Sequence, residues 1–84
     1  MTGEERKELR MKLLQEHYDY HFANNGLGKQ LTRNRIDSEQ NLAYQYLEEK
    51  KLIIKHSDGR EFDYKISAYG IDQIESKGRS NFFV

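Results

Sequence analysis

The chain has no cysteine and no proline. Without cysteine no disulfide framework can form. Without proline, and with six scattered glycines, collagen-like and proline-rich linker character is excluded. Charge of one sign is missing too: 14 Lys and Arg balance 14 Asp and Glu. A global basic field, the usual footprint of a nucleic-acid binder, is therefore absent, and any such role must rest on local charge. No run approaches the roughly 18 apolar residues of a membrane span. The start, Met1-Thr2-Gly3-Glu4-Glu5-Arg6, lacks the character of a secretory signal. These absences predict a soluble, cytoplasmic protein with no membrane partner.

Apolar residues are also scarce, at 36%, against 33% charged. An 84-residue chain has room for one domain, expected over residues 1–78, with an apolar tail at 79–84. A chain of this size buries only about 60% of its unfolded surface. A deep catalytic cavity is not expected, and the six Tyr and four Phe must carry much of the core.

Residues 4–23 read as a helix. On a helical wheel Glu5, Glu8, Lys12, Gln15, Glu16 and Asp19 share one polar face, while Leu9, Met11, Leu13, Leu14, Tyr18, Tyr20 and Phe22 form a broad buried arc. Asn24-Asn25-Gly26 stops it, because Asn and Gly tolerate the left-handed conformation of a helix C-terminus. Residues 27–36 are compatible with a short strand, a helical turn, or both in abbreviated form. Asp37, with Gln40 three residues on, has the spacing of a capping box and opens a helix from Ser38 to about Lys51. Leu42, Ala43, Tyr46 and Leu47 are its expected inner side. Gln40, Asn41, Tyr44, Gln45 and Glu48 are its expected outer side.

Leu52–His56 reads as a strand, Ser57-Asp58-Gly59-Arg60 as a tight turn, and Glu61–Ser67 as the return strand. There Phe62, Tyr64 and Ile66 alternate with Glu61, Asp63 and Lys65, the pattern of one dry and one wet face. Ser67 caps a last helix, about Ala68–Lys77, closed by Gly78, with Ile71 and Ile74 inward. Gly70 inside it costs roughly 1 kcal/mol relative to Ala, which close approach to a neighbour would explain. A two-stranded hairpin is not stable alone, so its Phe62/Tyr64/Ile66 face must lie on the helices.

Two runs carry a family resemblance. Leu42-Ala43-Tyr44-Gln45-Tyr46-Leu47-Glu48-Glu49-Lys50-Lys51-Leu52-Ile53 is similar to the third helix and first wing strand of small prokaryotic winged-helix proteins, an apolar-spaced helix followed by "LEEKGLI". Phe62-Asp63-Tyr64-Lys65-Ile66-Ser67-Ala68-Tyr69-Gly70-Ile71-Asp72 resembles their return strand and final helix, of "YxITxxGIDxxE" type. Leu13 to Phe22 fits their first helix, so the resemblance spans about residues 9–76. There are two departures: Lys50-Lys51 replaces the glycine of the pattern, and only about ten residues separate the first helix from Asp37. The implied fold is an α+β winged helix, in the order helix, short strand or turn, helix, β-hairpin, helix.

The resemblance implies a DNA-binding helix-turn-helix protein, a small transcriptional regulator of bacterial or phage and mobile-element type. Its partner would be double-stranded DNA. The helix opening at Ser38 would enter the major groove, where Gln40, Asn41 and Gln45 can pair with adenine edges and Tyr44 can stack or reach a phosphate. Ser38 joins this set at the helix start. Lys29, Arg33 and Arg35 form the one basic island, placed for phosphate contacts that give register rather than sequence. Helix N-terminal amides would add to them. Lys55 and Arg60 sit on the wing, although Asp58-Gly59 also reads as turn chemistry alone. The alternative is a winged-helix protein-interaction module without DNA binding, which the neutral charge and the acidic residues of 38–49 favour. Phe82-Phe83-Val84 is expected as an interface for a homodimer, folding back on the domain being the other reading of that tail.

Other motifs are weaker. His17 and His21 have the i, i+4 spacing of metal ligands, but Tyr18 stands where a zinc-protease helix has Glu, and they read as core-edge histidines making hydrogen bonds. Gly26-Leu27-Gly28-Lys29 lacks the spacing of a phosphate loop. No nucleophile–base constellation emerges. No enzyme activity, small-molecule substrate, metal or cofactor is expected.

Overall fold

The computed structural model describes residues 2–32, 36–58 and 61–76, with Thr32 and Asp58 described by backbone alone. Six elements follow one another: α1 (Gly3–Ala23), β1 (Lys29–Thr32), α2 (Ser38–Glu49), β2 (Ile53–Asp58), β3 (Glu61–Ile66) and α3 (Ala68–Glu75). The class is α+β.

The termini of the helices are written in local chemistry. Thr2 caps α1 by a reciprocal box: its hydroxyl accepts from the Glu5 amide at 3.2 Å, and the Glu5 carboxylate accepts from the Thr2 amide at 3.0 Å. Asp37 and Gln40 repeat the arrangement at α2, with bonds of 2.8 and 3.3 Å. Ser67 caps α3 by accepting from the Gly70 amide at 3.0 Å. At the end of α1, Asn25 takes a left-handed φ of 55° and the Gly26 amide reaches back to the His21 carbonyl at 2.8 Å.

The end of α2 is a Schellman turn built on an unusual residue. Lys51 holds φ 63°, a conformation that suits glycine. Its amide donates to the Glu48 carbonyl at 3.0 Å, and the Leu52 amide donates to the Leu47 carbonyl at 2.9 Å. Leu47 and Leu52, which bracket the turn, are both fully buried. Their burial, roughly 1.5–3 kcal/mol each, outweighs the roughly 1–2 kcal/mol of a left-handed lysine.

The three strands form one antiparallel sheet in the order β1-β3-β2. β1 pairs with β3 from Lys29↔Tyr64 to Thr32↔Glu61. β2 pairs with β3 from Ile53↔Ile66 to Asp58↔Glu61. Strand alternation puts Phe62, Tyr64 and Ile66 on the helix side and leaves Glu61 and Lys65 exposed. Leu13 and Leu14 of α1, Ala43, Tyr44 and Leu47 of α2, and Ile74 of α3 close over that side, with Leu52 and Ile53. Gly70 is required by contact: a Cβ there would run into the Leu52 carbonyl oxygen and the Ile66 side chain.

Of the alternatives open for residues 27–36 the structure shows the short strand, at 29–32, and no helix among the described residues between α1 and α2. Two expectations are corrected. Phe22 is exposed rather than inside. The inner side of α2 is Ala43, Tyr44 and Leu47, with Leu42 outside, so Tyr44 is not an outward residue. The helix is rotated because a buried Tyr needs a partner for its hydroxyl, and His17 and Tyr64 supply both bond and stacking surface. Gly59, Arg60, Arg33, Arg35, Gly78 and the tail with Phe82, Phe83 and Val84 lie outside the described residues. No described helix is long and apolar enough to cross a membrane.

Candidate functional site

The register of β2 on β3 places Lys55 directly across from Tyr64. Lys55 therefore emerges on the helix side of β2, beyond the point where α2 covers the sheet. Its ammonium lies 4.8 Å from the centroid of the Phe62 ring, a cation–π contact. Opposite stands the first turn of α2. Between the two runs a groove of about 340 Å³, lined by Ile36, Asp37, Ser38, Asn41, Lys55, Phe62 and Tyr64.

Ser38, Asn41 and Gln45 are exposed along one stripe of α2, as the i, i+3, i+7 spacing dictates. Glu48 continues the stripe and accepts from the Tyr64 hydroxyl at 3.2 Å. The groove thus has amide and hydroxyl groups on the helix wall, one cation on the strand wall, an apolar floor, the Asp37 carboxylate at its helix end, and the Glu48 carboxylate farther along α2. It can hydrogen-bond base edges or a polar backbone, and it offers one point charge to an anion.

Under the groove lies a buried polar cluster. His17 is only 2% exposed, and its Nε2 shares a 2.9 Å hydrogen bond with the Tyr44 hydroxyl. The Tyr44 ring stacks on Tyr64 at 4.3 Å between centroids and 3° between planes, and the His17 ring meets both tyrosines edge-on. Burial pushes the His17 imidazole down to about 4, and the Lys29 charge adds to the effect; the Tyr64 backbone opposes them, at a geometry that leaves Nδ1 without a well-formed hydrogen bond. Burial, with the Glu16 charge, pushes the Tyr44 hydroxyl up to about 12. Burial, then Glu48, raises Tyr64 further. All three are neutral at ordinary pH, so the bond between His17 Nε2 and the Tyr44 hydroxyl is a neutral one.

The predicted residues divide accordingly. Ser38, Asn41 and Lys55 share the groove, and Gln45 lies one turn along the same stripe. Gln40 is engaged at the cap, its side-chain oxygen accepting from the Asp37 amide. Asp37 fills the N-terminus of α2 with its own carboxylate, so that helix end is closed to a phosphate. Lys29 faces the α1 side of the sheet, where His17 feels its charge, and does not line the groove. Tyr44 is in the core. His17 Nε2 is bonded to Tyr44, and among the described residues no group of three His, Asp or Glu could hold a metal.

Sequence reasoning missed Ile36, Asp37, Phe62 and Tyr64 as groove residues. The signal was present in strand alternation, which puts Lys55, paired with Tyr64, on the same face of the sheet as Phe62 and Tyr64. No family model matches the chain, nor does any curated protein or solved structure.

Proposed function

We propose that this is a winged-helix DNA-binding protein that lays the Ser38–Asn41–Gln45 stripe of α2 in the major groove of a duplex, as a small transcriptional regulator. The observation that carries the reading is the groove itself: a stripe of amides exposed on α2, flanked by a β-hairpin that presents Lys55. The element order and the sheet order β1-β3-β2 are compatible with a winged helix. Asn41 and Gln45 would read base edges. Lys55, with Arg33, Arg35 and Arg60 outside the described residues, would hold phosphates.

Binding of a fluorescent random duplex, followed by anisotropy against salt, tests this. With about four phosphate contacts, log K falls by roughly 3.6 per decade of salt, and Lys55→Gln lowers that slope by about 0.9. Asn41→Ala leaves the slope and weakens sequence preference. A chain that binds no duplex even at low salt removes the reading.

One observation favours the second reading, a protein-interaction module of the same fold. Within Ser38–Glu49 there are three Glu and no Lys or Arg, which repels phosphates along the very helix that would dock. The homodimer proposed for the apolar tail is tested by light scattering of the chain and of a Phe82→Ser, Phe83→Ser variant: equal masses for the two refute it.

A further inference from the structure

On the side of α2 turned away from Asn41 and Gln45, α1 and α2 leave a second groove, of about 110 Å³. It shares no lining residue with the first. Leu9, Leu42 and Tyr46 form an apolar floor, and Leu42 is 54% exposed although it sits mid-helix. This is the leucine left outside by the rotation that takes Tyr44 into the core.

The rim is cationic on a chain of zero net charge. The Arg10 guanidinium lies 4.0 Å from the centroid of the Tyr46 ring, and the Lys50 ammonium 5.7 Å. Arg6 is the third cation, and its Nε and Nη2 bond both oxygens of Glu39 at 3.3 Å. Glu39 is the one acid among the lining residues and is taken up by Arg6, while Arg10 and Lys50 lie over the Tyr46 ring, with no carboxylate within ion-pair distance among the described residues.

Charge decides among the occupants. A second copy related by a two-fold axis through this groove would set the same cations against one another. A nucleic-acid strand would bring phosphates, but an aliphatic floor narrow enough for about one side chain does not receive a sugar–phosphate backbone. The geometry points to a docking site for an acidic amphipathic segment of a partner protein, one apolar side chain entering between Leu9 and Leu42 and its neighbouring carboxylates resting on Arg10 and Lys50. This is helix-in-groove recognition, and it is independent of whether α2 also meets a duplex.

The probe is a synthetic peptide of about 14 residues, four helical turns, with leucine on one face and glutamate on the other, beside a counterpart with lysine for glutamate. Each is titrated into the isotope-labelled full chain. The expected result is amide shifts centred on Leu9, Leu42 and Tyr46 with the acidic peptide only. Leu42→Gln, at an exposed position, weakens binding by roughly ten-fold. Arg10→Glu shifts preference toward the lysine peptide, and Lys50→Glu, a surface change remote from the core, does the same. Absence of shifts at millimolar acidic peptide, equal binding of both peptides, or shifts mapping elsewhere overturns the proposal. Concentration-dependent shifts of these amides without peptide would assign the groove to a second copy. Shifts of them by a DNA duplex would assign it to nucleic acid. Either result refutes the acidic segment.

Discussion

Acidification should loosen this fold through one residue, His17. In the folded chain its imidazole is held neutral down to about 4, against an ordinary value of 6.5. The unfolded chain therefore binds a proton that the folded chain refuses between those two values, so stability rises with pH across that window. The contribution is fully present above pH 6.5, declines as pH falls, and is gone below about 4. A tenfold difference in proton affinity between the two states is worth about 1.4 kcal/mol, so the loss is roughly 3 kcal/mol. That is a large part of the about 4–13 kcal/mol expected for a chain of this length. The groups that face the ring are Tyr44, Tyr64 and the Lys29 charge, and none of them is an acid that would welcome an imidazolium. Urea unfolding followed by circular dichroism, at steps between about pH 7.5 and 4, gives the profile. His17→Gln keeps a hydrogen-bonding group for Tyr44 but removes the titration, and subtracting its profile cancels the carboxylates common to both proteins. The difference should change by roughly 3 kcal/mol across the range. Parallel profiles, or a His17 resonance titrating near its ordinary 6.5, would refute the reasoning.

Three further outcomes follow from the packing. Lys51→Gly relieves the left-handed backbone and should stabilise by about 0.5–1 kcal/mol after the entropy of an extra glycine is counted, read as a higher urea midpoint; a lower midpoint would mean that the lysine stem contributes packing. Gly70→Ala improves helix propensity yet forces a methyl onto the Leu52 carbonyl, and should destabilise by about 1–3 kcal/mol. A gain there would show that α3 can move away from Leu52 freely. Tyr44→Phe leaves His17 Nε2 buried without its partner and should cost about 1–3 kcal/mol by thermal or urea unfolding.

What could be read from the chain is what local chemistry dictates. Asp37 with Gln40, Ser67 before Ala68, and Asn25-Gly26 after α1 mark helix ends within a residue or two, because each satisfies backbone groups that a helix end leaves open. The Phe62/Tyr64/Ile66 alternation fixes which side of the hairpin is dry. The rotation of α2 is not legible in this way. By hydrophobicity alone Leu42 outranks Tyr44 for the interior, and only the three-dimensional meeting of His17 with Tyr44 and Tyr64 reverses the order. That reversal also removed Tyr44 from the candidate site and created the exposed Leu42. The same limit applies to residues 27–36, where Lys29-Gln30-Leu31-Thr32 has too few residues for a periodicity, and pairing with β3 decides the matter.

The position of β1 has a kinetic consequence. β2 and β3 are neighbours in the chain and can zip from a short loop, whereas joining Lys29 to Tyr64 closes about 35 residues of intervening chain. The cost of that closure favours docking of β1 onto a β2–β3 ribbon that already exists. Being four residues long and at the margin of the sheet, against six residues for the other edge strand, β2, β1 should also open before the β2–β3 pair. Its amides should exchange with solvent deuterium ahead of those between β2 and β3, which makes the N-terminal half of the sheet the early-opening unit of the native ensemble.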